Sequence, residues 1–171
     1  MIRLVPPAWP RVLPGRFVIG CATLGPLGRR LPAPGTWGSL AGLLYFAVFL
    51  SRAGIWTNLL VSAVGAYLAV ALCGEAEVRL REKDPGQVVL DEFIVIPLCF
   101  LGWRGLDARW PEWAVLLAGF ALFRLFDVLK PLGIARLQHL PGGWGVVADD
   151  VAAALASCAT LHLAALLVAR G

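Results

Sequence analysis

Long apolar runs separated by short polar stretches dominate this 171-residue chain. Residues 55–73 (IWTNLLVSAVGAYLAVALC) have the length and polarity of a complete membrane span, which takes about 20 helical residues. Residues 17–27 (FVIGCATLGPL) are apolar but too few to cross. In PAPGTWGSL, at 32–40, Pro34-Gly35 is a turn signal, and Thr36 is placed to cap a helix that begins at Trp37 and runs to Leu50, with Ser39 in its first turn. After the 55–73 run, a charged stretch at 75–84 closes on the turn Asp84-Pro85-Gly86. Residues 88–102 are rich in β-branched side chains, but a lone strand in lipid leaves its backbone unsatisfied, so the pattern predicts a helix kinked at Pro97. A helix over 113–129 stops at Lys130-Pro131. Residues 132–145 are predicted irregular, with Gly142-Gly143-Trp144-Gly145 as a flexible turn, and the last helix is predicted from near Asp149 to Ala169.

Composition agrees with this pattern. The chain is 59% hydrophobic and 15% charged, with a mean hydropathy of +0.77; soluble domains carry about 25% charged residues. The predicted architecture is all-α, one small polytopic membrane bundle over residues 1–171. Residues 1–16 form an uncleaved cytoplasmic arm, because prolines and arginines interrupt the apolar stretch a signal peptide needs. Trp103, Trp110 and Trp113 suit a membrane–water interface. The net charge of +4 on so little polar surface points to an anionic membrane surface, not to nucleic acid. No obligate protein partner is inferred. Cys21, Cys73, Cys99 and Cys158 lack metal or redox spacing and read as structural thiols; His139 and His162 also read as structural.

The cationic residues orient the bundle. With a cytoplasmic N-terminus and five alternating apolar helices, only Arg52, Arg104, Arg109 and Arg170 of the 15 Lys and Arg face outward. The same topology brings Asp84, Asp91, Glu92, Asp127, Asp149 and Asp150 to the cytoplasmic face. Asp91-Glu92 and Asp149-Asp150 each stand near a helix end, where one acid would be explained by capping and dipole complementation. Two adjacent acids on two helices, with Asp127 on a third, exceed that need. Like charges at one site raise each other's pKa unless a cation neutralises them, and carboxylates with water suit Mg²⁺. Arg124 lies three residues before Asp127 on one helix face, and its guanidinium fork suits phosphate oxygens. Lys130 adds a point charge. Thr36, Ser39 and the first amides of their helix form a candidate anion cradle. These groups together suit phosphoryl chemistry on a lipid headgroup, with metal candidates Asp91, Glu92, Asp127, Asp149 and Asp150, catalytic candidates Asp127, Asp149 and Asp150, and substrate contacts at Thr36, Ser39, Arg124 and Lys130.

Four stretches, PGTWGSL (34–40), VVLDEF (88–93), FRLFDVLKP (123–131) and GGWGVVADD (142–150), resemble the motifs of the phosphatidylglycerophosphatase A family in order and spacing, over about residues 16–169. The resemblance implies a multi-pass, Mg²⁺-dependent phosphatase of the bacterial inner membrane, with its active site toward the cytoplasm. It would convert phosphatidylglycerophosphate, an anionic phospholipid, to phosphatidylglycerol. Position by position, the family's acids fall on Asp91, Glu92, Asp127, Asp149 and Asp150, and its cations on Arg124 and Lys130; its Gly-Thr-x-Gly-Ser turn falls on Thr36 and Ser39. Two departures are Gly133, where the family usually has a second proline, and Gln138, where it often has an aspartate. Other lipid-phosphate enzymes fit less well. There is no histidine pair suited to the histidine-nucleophile phosphatases, no Asp-x-Asp-Thr or Asp-x-Asp-Val run and no Asp-Gly-led CDP-alcohol motif. A small membrane transporter or ion carrier using the clustered acids is the alternative, although the acids gather at one face and no inverted repeat is present. A purely structural subunit would leave the doubled acids unexplained.

Overall fold

The structure, a computed structural model, describes residues 5–106 and 110–170; residues 1–4 of the arm, Arg3 and Arg109 of the charge argument, and the side chain of Arg170 lie outside them. Among the described residues every regular element is helical: α1 (Gly15–Ala22), α2 (Pro26–Arg30), α3 (Pro34–Tyr45), α4 (Ile55–Leu80), α5 (Leu90–Val95), α6 (Glu112–Leu129) and α7 (Gly143–Arg170), joined by short 3₁₀ turns. Two helices, Ile55–Leu80 and Gly143–Ala169, are long and apolar enough to cross a bilayer. Pro97 acts as predicted: α5 passes into a 3₁₀ turn at Ile96–Phe100, because proline has no amide hydrogen to give an α-helix. At the end of α6, Lys130 takes a left-handed conformation (φ 44°) and Pro131 follows.

Several boundaries differ from the sequence expectation. α3 starts at Pro34, not Trp37, and no side chain caps it, so Thr36 falls inside its first turn and Ser39 in its second. After Tyr45 the same rod widens into a π-turn at Phe46–Leu50. α4 runs on through the charged residues to Leu80, where Arg79 pairs with Glu75 one turn earlier at 2.8 Å. Gly142-Gly143-Trp144-Gly145 is not a flexible turn. Gly142 makes the left-handed entry (φ 54°) and α7 begins at Gly143, so Asp149 and Asp150 sit in its second turn, past the capping positions. Residues 134–139, expected to be irregular, form a 3₁₀ turn. Trp103 is core: it is 5% exposed, meets Phe46 edge-on at 5.8 Å, and donates to Ser51 O at 3.1 Å.

α7 packs along α4 and α6 and touches α5, while α3 packs on α5. Phe46 stacks on Phe100 at 4.6 Å within the core. Large apolar side chains such as Trp56, Leu60, Leu163 and Leu167 cover the outside of the long helices. On a water-facing surface this much apolar area would be an association site. The N-terminal arm is tied down at the C-terminal end of α4, where the Arg79 Nη2 group donates to Pro10 O and Arg11 O, both at 3.2 Å.

The crossing of α4 and α7 sets where the paired aspartates stand. A Cβ on Gly143 would lie 1.9 Å from Val70 O, and one on Gly74 would lie 2.7 Å from Gly143 N. The glycines are there for close approach, which lets the first turn of α7 lie directly on α4. Gly143→Ala is therefore expected to lower stability by about 1–3 kcal/mol, since backbone cannot yield as a side-chain tip can. Thermal unfolding in detergent checks it; an unchanged midpoint would mean that the helices separate freely there.

Candidate active site

At the end of the bundle where α4 and α6 finish and α5 and α7 start, a cavity of about 190 Å³ opens among four chain segments. The α4–α5 loop supplies Asp84, Pro85, Gly86 and Val88, and the first turn of α5 supplies Asp91 and Glu92. Asp127 comes from the last turn of α6 with Lys130 just beyond it, and Val146, Asp149 and Asp150 come from α7. All five acids singled out from sequence thus line one space. Asp91, Asp149 and Asp150 are each 4% exposed and Asp127 is 9% exposed.

Two cations answer this negative charge. The Nη1 group of Arg124 donates to Asp127 Oδ2 at 2.8 Å, to Glu92 Oε1 at 3.2 Å and to Ser39 Oγ at 3.2 Å. Ser39 Oγ in turn donates a hydrogen bond to Gly35 O at 2.7 Å. One guanidinium thereby ties α3, α5 and α6 together. Lys130 donates to Asp149 from its left-handed backbone position. Burial works against the Lys130 ammonium, but the hydrogen bond and charge of Asp149 outweigh it and hold its pKa above the ordinary value. Asp84 also has positive φ (49°), and its amide is held by Glu77 Oε1 at 2.8 Å. Two non-glycine residues in this costly region, both on the cavity wall, mark a place where side-chain direction outweighs backbone ease.

The carboxylates exceed the cations, and some oxygens have no partner. Asp91 Oδ1, Glu92 Oε2 and Asp149 Oδ1 are buried without a hydrogen bond. Outside the two long apolar helices, burial pushes the Asp91 carboxyl well above its ordinary value, and the charge of Glu92 adds to this. Glu92 is pushed up to about 8 by burial and by Asp127, with Arg124 pulling the other way. Charged carboxylates at this density need further positive charge, and all-oxygen donors suit a hard divalent cation. Among the described residues no group of three or more acidic, cysteine or histidine side chains is placed to hold a metal ion by itself. Mg²⁺ keeps several waters and takes only one or two carboxylates directly, so it does not require such a group.

α3 approaches this site by the same close packing as α7. A Cβ on Gly35 would stand 2.0 Å from Glu92 Oε1, and one on Gly38 would stand 2.8 Å from Val89 Cβ. Of the expected anion cradle, Ser39 joins the network through Arg124, whereas Thr36 is half-buried outside the cavity and makes no hydrogen bond to it. Asp84 was visible in sequence as a turn residue and as one of the acids at this face, but not as a cavity wall. Its signal was the acid opening Asp-Pro-Gly between two helices that converge on one end.

Similarity to known proteins runs over most of the chain. The family model for phosphatidylglycerophosphatase A matches residues 20–165. A protein of Haemophilus influenzae named phosphatidylglycerophosphatase A is 38% identical over 125 residues, covering 72% of this chain and 74% of that one. The protein of that name from Escherichia coli K12 is 32% identical over 133 residues, covering 75% and 72%. A Bacteroides thetaiotaomicron protein, whose name proposes a phosphatidylinositol-3-phosphatase, is 36% identical over 129 residues, covering 73% and 79%. No solved structure matches the chain.

Proposed function

We propose, from the premise that this chain belongs to the phosphatidylglycerophosphatase A family, that it hydrolyses the terminal phosphate monoester of phosphatidylglycerophosphate with the help of Mg²⁺. The observation that carries this is the cavity of converging acids, with Lys130 on its wall and Arg124 bound to Glu92 and Asp127 behind it. It is a bacterial membrane enzyme of multi-pass topology in this reading, with the acid-lined end toward the cytoplasm, as the Lys and Arg distribution favours. A transporter would place its acids at mid-depth, whereas these stand at the ends of helices.

Asp91, Glu92, Asp127, Asp149 and Asp150 would hold the Mg²⁺ between them. Bound there, the ion supplies charge neutralisation at the phosphoryl group and acidifies water. The chain's own residues do the rest. Arg124, anchored through Nη1, directs its remaining N–H groups to the equatorial phosphate oxygens, and Lys130 adds a second positive charge. One of Asp127, Asp149 and Asp150 takes the proton of the attacking water as its oxygen bonds to phosphorus in line. That proton passes to the glycerol oxygen as the P–O ester bond breaks. Burial keeps other water from the site and strengthens each of these interactions.

Arg124→Lys is expected to lose on the order of 100-fold in kcat/KM, because an ammonium cannot bridge Ser39, Glu92 and Asp127 and still present a fork to phosphate. Turnover near that of the native chain would reduce Arg124 to a structural ion-pair partner. Substrate choice is tested by phosphate release in detergent micelles from phosphatidylglycerophosphate and from phosphatidylinositol 3-phosphate. Preference for the glycerol lipid is expected; preference for the inositol lipid would move this chain beside its Bacteroides relative.

A further inference from the structure

We propose that the face built by α2, α3 and α6 seats the lipid part of the substrate, with one acyl chain in an apolar groove along α3 and the phosphodiester held by Arg29 and Arg30. This deepens the phosphatase reading and rests on it. The groove encloses about 510 Å³ and is lined by apolar side chains that include Leu27 of α2, Trp37, Leu40 and Leu44 of α3, and Leu116 of α6. On α3 the lining residues Trp37, Leu40, Ala41 and Leu44 recur at helical spacing, on a different face from Gly35, Gly38 and Gly42, which press against α5. Trp37, Leu40 and Leu44 are exposed. From Trp37 to Ala47 the groove runs about 15 Å at ~1.5 Å per residue, close to half of the ~30 Å hydrocarbon core. That is the depth of one leaflet.

The groove opens where the chemistry is. Its first lining turn on α3 is also the turn in which Gly35 meets Glu92, and Ser39 of the next turn binds Arg124. On the other side, Arg29 and Arg30 line a neighbouring cavity of about 480 Å³ with Gly25 and Pro26. Both arginines are exposed, and among the described residues neither has a carboxylate partner. Arg30 lies three residues beyond Leu27 and so stands above it on the same face of α2. α2 is fixed against the rim of the acid cavity, because a Cβ on Gly28 would lie 2.0 Å from Gln87 O, and Gly86 and Val88 on either side of Gln87 are walls of that cavity. Acid cavity, paired arginines and apolar groove therefore adjoin around α2 and α3. A lipid carrying a terminal phosphomonoester, an internal phosphodiester and acyl chains presents the complementary series. The diester needs only a grip, which guanidinium groups give.

The test uses the full chain in detergent micelles. Arg29→Gln/Arg30→Gln is expected to raise KM for long-chain phosphatidylglycerophosphate about fivefold or more with kcat changed less than about twofold, the mark of lost uniform binding. Leu40→Trp, which fills the groove, should also raise KM, and by more for the long-chain lipid than for a dihexanoyl lipid. Fluorescence gives a second readout that does not need turnover. Quenching by brominated-chain phosphatidylglycerol that disappears in Trp37→Phe should saturate at lower lipid than quenching by brominated-chain diacylglycerol, which has the acyl chains but no phosphodiester. Equal quenching by both lipids would mark the groove as ordinary lipid-facing surface and overturn the assignment. An unchanged KM in the arginine pair would overturn it too. Failure of the native chain to release phosphate would instead strike the phosphatase reading, and the quenching comparison would still decide the groove.

Discussion

Asp127→Asn, purified folded from membranes, is expected to release phosphate on the order of 100-fold or more slowly than the native chain, and at least one of Asp149→Asn and Asp150→Asn should match it. The substitution keeps shape and removes charge and basicity. Asp127 is the most consequential of the set because it joins two parts of the site: it lines the cavity and takes the shortest hydrogen bond from Arg124, at 2.8 Å. Loss of its charge leaves the guanidinium with Glu92 as its one carboxylate partner among the described residues, beside Ser39 Oγ. Gel filtration must show an unchanged particle, since breaking one side of a buried ion pair can cost about 3–5 kcal/mol. Full activity in all of Asp91→Asn, Asp127→Asn, Asp149→Asn and Asp150→Asn would place the chemistry elsewhere.

Saturating Mg²⁺ should raise the midpoint of thermal unfolding, independently of any turnover. Six acids face one space of about 190 Å³, with Lys130 on its wall and Arg124 behind Glu92 and Asp127. Their mutual repulsion and burial oppose folding, and an ion that binds only the folded chain removes part of that opposition. At a hundred times its Kd a ligand contributes about 2.7 kcal/mol, and in a chain of this size each kcal/mol moves the midpoint by about 2–4 °C. A rise of about 5–10 °C is therefore expected. It should shrink in the Asp→Asn variant that removes a direct ligand. Sodium at equal ionic strength should not reproduce it, because screening alone acts weakly on buried groups. An identical midpoint with Mg²⁺, with sodium and with chelator would remove the metal from the mechanism.

The acids were legible because an apolar chain has few reasons to keep them. Asp91-Glu92 and Asp149-Asp150 stood out against their surroundings, and helix order alone brought them to one end. What hid was the role of glycine. Gly142-Gly143-Trp144-Gly145 reads as a flexible turn until a Cβ on Gly143 is found to fall only 1.9 Å from Val70 O. Only the tertiary crossing shows that a helix begins there, and with it that Asp149 and Asp150 lie beyond the capping turn. The same limit applies to Thr36, since Pro34 as the first residue of α3 moves a residue with capping chemistry into the helix. Trp103 shows a third kind of ambiguity. Composition assigns tryptophan to interfaces, but contacts with Phe46 and Ser51 assign this one to the core. The extension of α4 through Glu75 and Arg79 was within reach, because their spacing of four is that of a helical ion pair.

The acid cavity as the seat of lipid phosphomonoester hydrolysis is tested most directly by following purified protein with phosphatidylglycerophosphate in detergent micelles by phosphorus NMR. Inorganic phosphate and phosphatidylglycerol should appear in equal amounts with Mg²⁺ present, stop when chelator is added, and resume when Mg²⁺ is restored. An unchanged lipid spectrum, or turnover that continues at full rate in excess chelator, would contradict it.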